Sequence, residues 1–107
     1  MNKAPGLPEP SALSLADEQQ VDRLGSHFER QWKSGNSPRI EDYLPRAPAS
    51  ARAVLLMELV ALEIELQADG GEQAVVAEYR RRFPTEGDQA AVEAAFALVA
   101  RRADEQD

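Results

Sequence analysis

The chain has no cysteine, which excludes disulfides and thiolate metal sites and suits a reducing cytoplasm, the expected compartment. Its longest apolar-rich stretch, residues 53–66, is interrupted by Glu58, Glu63 and Glu65, too short and too charged to cross a bilayer, so no membrane partner is expected. Residues 1–10 hold one lysine and no apolar core, unlike a secretory signal. No segment alternates apolar and polar residues with β-branched enrichment, so no strand is expected. Neither G-x-x-x-x-G-K-[ST] nor G-x-G-x-x-G occurs, and the kinase signatures H-R-D and D-F-G are missing. Phosphoryl transfer is therefore not expected of this chain. Basic residues are scarcer than acidic ones, 12 against 19, and a net charge of −7 opposes generic binding to nucleic acid or anionic lipid.

What is present is a pattern used twice. Ile40, Tyr43, Pro48, Leu56 and Val60 recur 36 residues later as Val76, Tyr79, Pro84, Val92 and Phe96. Each copy has the pattern of a short helix, a proline-marked turn and a longer helix. Ahead of them, Val21, Leu24, Phe28 and Trp32 form one helical face. Ser14 can cap that first helix, Asp17 and Glu18 favour its positive end, and Gly35 supplies a left-handed stop. The second helix is expected to open at Pro38 with Ser37 as cap, and to end at Pro45 and Pro48. The third runs from after Ser50 to about Asp69, where Gly70-Gly71 stop it.

On a helical wheel, Glu58, Glu65 and Asp69 make one acidic stripe of this third helix. Leu55, Leu59, Leu62 and Leu66 make one apolar face, and Leu56, Met57, Val60 and Ile64 another. A helix apolar on most of its circumference is buried on two sides, so it is expected at the centre. The fourth helix spans about 72–83, with Val75, Val76, Tyr79 and Phe83 facing inward and Arg80–Arg82 largely elsewhere. Thr85 and Asp88 resemble a capping box for the fifth, which carries Val92, Ala95, Phe96 and Val99. The expected fold is all-α: a compact five-helix bundle of two short-helix/long-helix repeats plus an N-terminal helix. It occupies residues 13–103, between a disordered proline-rich leader (1–12) and a frayed tail (104–107).

Chemistry-bearing constellations are few. His27 is the only histidine and has no second histidine or cysteine for a zinc site, so it reads as a surface or boundary residue. Carboxylate pairs such as Glu63 and Glu65 lack a Glu-x-x-His partner and read as exposed surface. No catalytic, metal or cofactor residue is assigned. The candidate interaction surface is Trp32, Tyr43, Met57, Leu59, Arg80 and Arg81, because aromatics and arginines dominate interface hot spots. Core packing is the competing role for Trp32 and Tyr43. The Tyr43 hydroxyl is then expected at the hydrated rim of the core.

The segment Phe28-Glu29-x-x-Trp32-Lys33-x-Gly35-x-x-Pro38-Arg39-Ile40-Glu41-Asp42-Tyr43-Leu44 resembles one found ahead of the catalytic domain in planctomycete-type bacterial serine/threonine protein kinases. The similarity continues through Leu55-Leu56-Met57-Glu58-Leu59-Val60-Ala61-Leu62-Glu63, then Gly71-Glu72 and Glu78-Tyr79-x-x-Arg82-Phe83-Pro84. It covers about residues 28–84, over half the chain. Gln73-Ala74-Val75-Val76 departs from it, standing where the family tends to start a helix with Pro-Thr. The resemblance implies a non-catalytic regulatory module whose partner is another protein or an attached kinase domain, either excised from such a kinase or a free-standing relative. A homodimer through one face of the third helix is an alternative, and a transcription-linked or nucleic-acid-associated protein is the competing class.

Overall fold

Ser14 fixes the first turn. In the computed structural model, which describes residues 14–105, its hydroxyl accepts from the Asp17 amide at 3.1 Å. Helix α1 follows over Leu15–Lys33, α2 over Ile40–Tyr43, α3 over Arg52–Asp69, α4 over Val76–Arg82 and α5 over Glu86–Glu105. Short 3₁₀ turns, Leu44–Arg46 and Ala49–Ala51, bridge α2 to α3. No strand occurs among the described residues, and the all-α bundle is the observed fold. The expected leader and the last two residues of the expected tail lie outside the described residues.

The core is built on α3. Leu55, Leu56, Leu59 and Val60 are fully buried, and α1 and α5 both pack against this helix. Phe28 from α1, Ile40 from α2, Tyr79 from α4 and Val92 from α5 complete one cluster. A helix that is apolar nearly all round thus becomes the central one, as its wheel predicts.

Several boundaries differ from expectation. Ser37 takes a left-handed φ of 50°, and Arg39 is extended, so α2 opens at Ile40 without a side-chain cap. An N-cap has extended backbone, so the left-handed Ser37, three residues before the first helical residue, is out of place to cap α2. The Pro45 ring has no N–H to donate, and the chain tightens into a 3₁₀ turn after Tyr43. Helix α4 starts at Val76, four residues late, because Gly71 turns left-handed (φ 88°) and Val75 is extended. Val75 accordingly sits exposed, not inward. Residues Asp104 and Glu105, expected to fray, complete α5.

The repeat reaches further upstream than the sequence pattern suggests. Shifting α1 by 36 residues places it on α3, and shifting α2 starts it where α4 starts. The turns agree bond for bond. Gly35 and Gly71 have φ of 83° and 88°. Their amides donate to Trp32 O and Ala68 O, both at 3.0 Å, and the next amides donate to Gln31 O and Gln67 O at 3.0 and 2.8 Å. These are Schellman-type closures that need a residue tolerating positive φ. The fold is therefore long–short–long–short–long, with α5 as a third copy of the long helix.

Candidate interaction site

The six residues proposed from sequence do not form one surface. Leu59 is fully buried, so its place among them is corrected: it faces the junction of α3 with its neighbours, and no partner reaches it. Tyr43 is also buried, with Phe28 edge-on at 5.4 Å and the Arg46 guanidinium over its ring at 4.8 Å. Trp32 is half-buried and stacks on Phe28 at 6.1 Å, and Met57 is half-buried against the core. Arg80 pairs with Glu93 at 3.1 Å, and Arg81 is exposed on the same short helix.

Both tyrosine hydroxyls are satisfied from the preceding long helix. The Tyr43 hydroxyl, expected to be hydrated, lies 2.8 Å from His27 Nδ1. The Tyr79 hydroxyl donates to Glu63 Oε1. His27 and Glu63 are each 16 residues before their tyrosine, and so occupy one position of the repeat. Arginines complete the match: Arg82 lies 5.3 Å from the Tyr79 ring, as Arg46 lies over Tyr43.

Glu63 corrects the reading of its carboxylate as exposed, since only 5% of its surface is accessible. It accepts from Tyr79 and from Arg82 Nη1 at 3.1 Å, while the same guanidinium forks onto Glu41 through two bonds of 3.0 Å. Buried charge is tolerated only when paired and hydrogen-bonded, and here three helices meet to pair it. The Arg82 bond holds the Glu41 carboxyl below its usual range, and the two carboxylates raise Arg82 further above its own. The sequence does carry the signal: Glu63 falls four residues after Leu59 and three after Val60, off the acidic stripe and among core positions.

Burial first, then the Glu63 carboxylate, pushes the Tyr79 phenol well above its ordinary value near 10, and burial raises Tyr43 as well. A group whose folded value is raised stabilises the fold fully below its unfolded value and loses that contribution as pH rises through the folded one. These are the only tyrosines in the chain. An absorbance titration at 295 nm should therefore place both phenols above the ordinary value while circular dichroism stays native, with Tyr79 ionising later than Tyr43. Two phenols titrating near pH 10 in a native spectrum would contradict this geometry.

Thr85 Oγ1 accepts from the Asp88 amide at 3.2 Å, capping α5. Asp88 does not return the bond, as a full capping box would; its carboxylate takes the Arg52 guanidinium at the start of α3, with Arg52 Nη2 to Asp88 Oδ2 at 3.3 Å. Glu41, Arg82, Arg52 and Asp88 rim a cleft of about 380 Å³ floored by Leu44 and Phe83. Its charges are already matched in pairs.

The long helices offer a different surface. A hollow of about 190 Å³ lies between α1 and α3, lined by Asp22 and Glu29 on one side and Glu58 and Leu62 on the other. A second, of about 470 Å³, lies between α3 and α5, lined by Glu65, Ala68, Asp69 and Val99. Arg102 lines both, donating to Glu65 at 3.1 and 3.2 Å and standing 4.0 Å from Glu58. The acidic stripe of α3 thus runs along a grooved face with apolar patches. Sequence periodicity exposes the stripe, but the flanking walls come from α1 and α5 and are set only by packing.

Among the described residues, no group of three or more histidine, aspartate or glutamate side chains is placed to hold a metal ion. No helix among them is long and apolar enough to cross a membrane. Comparison with protein-family models, with curated proteins and with solved structures gives no match.

Proposed function

We propose that the chain is a non-catalytic helical module that binds another protein and acts in regulation. The observation that supports this is the grooved face of α1, α3 and α5, where Leu62, Ala68 and Val99 lie between charged rims. An apolar floor within a polar border is the anatomy of a protein contact. The sequence resemblance supplies the context: a serine/threonine kinase catalytic domain as the partner or the neighbour in one polypeptide. For the nucleic-acid reading no observation speaks. Arg80, Arg82 and Arg102 are each paired to carboxylates, and the exposed Arg81 and Arg101 stand against a net charge of −7.

The test is affinity capture with the wild-type domain and with Ala68→Trp, which fills the larger hollow with the side chain that the repeat carries at Trp32. Circular dichroism establishes that the variant is folded. A protein retained by the wild type and lost by the variant supports the reading. Equal retention by both, or none by either, removes it. Sedimentation of the wild type as a monomer at high concentration removes the homodimer alternative.

A further inference from the structure

We infer that the occupant of the groove is a cationic amphipathic helix of a partner protein, laid along α3 between α1 and α5. This rests on the interaction reading above and adds the chemistry of the partner. Charge complementarity carries it. Asp22, Glu29, Glu58, Glu65 and Asp69 line the two hollows and Arg102 lines both, while Asp22 also borders an adjoining hollow that Arg23 and Arg30 line. Lys33 pairs with Glu29 at 3.0 Å, one turn along α1, which leaves more carboxylates than cations on these walls.

The spacing suits a helix. Glu58, Glu65 and Asp69 repeat at seven and four residues on one face of α3, with Leu62 between them. The stripe from Glu58 to Asp69 spans about 16 Å at the α-helical rise, or about three turns of an occupant. An occupant with lysine or arginine at matching intervals and leucine-like residues between them would meet the carboxylates of the α3 stripe, with Leu62 and the small side chain of Ala68 on the same helix and Val99 and Ala103 on the α5 wall. The remaining excess of negative charge, −7 over the chain, speeds the encounter with such a helix at low salt.

Arg102 gives the surface an internal competitor. Its guanidinium already bridges Glu65 and Glu58, occupying the middle of the stripe as a lysine or arginine of the occupant would. Docking displaces it from the carboxylates.

The experiment is fluorescence anisotropy of a labelled lysine–leucine amphipathic peptide titrated with the intact chain at two salt concentrations. Binding that weakens severalfold with added salt is expected. The triple variant Glu58→Gln, Glu65→Gln, Asp69→Asn should weaken it about tenfold, and Arg102→Ala should strengthen it. A matched control, Glu72→Gln, Glu78→Gln, Glu86→Gln, removes the same charge away from the groove and should change little. Equal weakening by both triples would reduce the effect to net charge and overturn the proposal. No binding by the wild type would overturn it too, and so would sedimentation as a dimer that the groove triple dissolves. Absence of peptide binding beside groove-dependent capture of a protein would leave the interaction module standing and remove only the cationic helix.

Discussion

Leu59→Glu is expected to unfold the domain at room temperature. Leu59 is completely buried on the central helix, packed within the single cluster that all five helices share. Truncating such a leucine to alanine costs about 2–5 kcal/mol through lost transfer energy and the cavity left behind. Glutamate adds a carboxylate with no partner in that cavity, and a desolvated unpaired charge costs several kcal/mol more. Against a stability of about 5–15 kcal/mol for a domain of this size, little or nothing remains. Met57→Glu, two residues earlier at a half-buried site, should cost far less, because its side chain can swing into water. Thermal melts followed by circular dichroism separate the two. A Leu59→Glu protein melting within a few degrees of the wild type would remove α3 from the centre of the core.

Arg82→Ala is the second substitution with a large effect. It leaves Glu63 buried with only the Tyr79 hydroxyl as donor, and Glu41 without its fork. Breaking a fully buried pair costs about 3–5 kcal/mol, and the one-third exposure of Arg82 lowers this to about 2–3 kcal/mol. The loss is expected to depend on pH. Glu41 is depressed in the folded state, so its contribution is present above its ordinary value of 4.5 and fades as pH falls through the folded value. The wild type should therefore lose part of its advantage over the variant in acid. An apolar replacement of the buried part of the group, Glu63→Met with Tyr79→Phe and Arg82→Met, should recover much of the loss, since the carboxylate that remains, Glu41, is one-third exposed to water. Urea denaturation of the three proteins measures this. A triple variant weaker than Arg82→Ala would show that the network holds more than its own burial.

Caps and turn glycines were legible because their physics is local. Ser14, Gly35 and Thr85 each act within four residues of their own position, and the structure uses each one as expected. The centrality of α3 was legible because its wheel leaves only one polar stripe. The starts of α2 and α4 were not, since Ser37 turns left-handed and Arg39 and Val75 are extended by the route of the chain into the next packing contact. The partners of polar side chains were the least visible. Glu63, Arg82 and Glu41 come from three helices, and Asp88 leaves its own cap for Arg52 on another. Such pairings depend on which helices touch, and periodicity within one helix carries nothing of that.

Arg52 and Asp88 occupy one and the same position of the repeat, and they bind each other. A chain made of two identical units would set like charges together there, arginine on arginine or aspartate on aspartate. The same holds for His27 and Glu63: a histidine at the second site would leave Arg82 facing a ring in place of a carboxylate. The two units are thus alike in backbone but not exchangeable in sequence. Their divergence gives the array a direction, and it penalises slippage by one unit or the swapping of units between molecules during folding. Averaging the halves into a consensus, a common route to stable repeat proteins, would erase the very contrast that keeps this one in order.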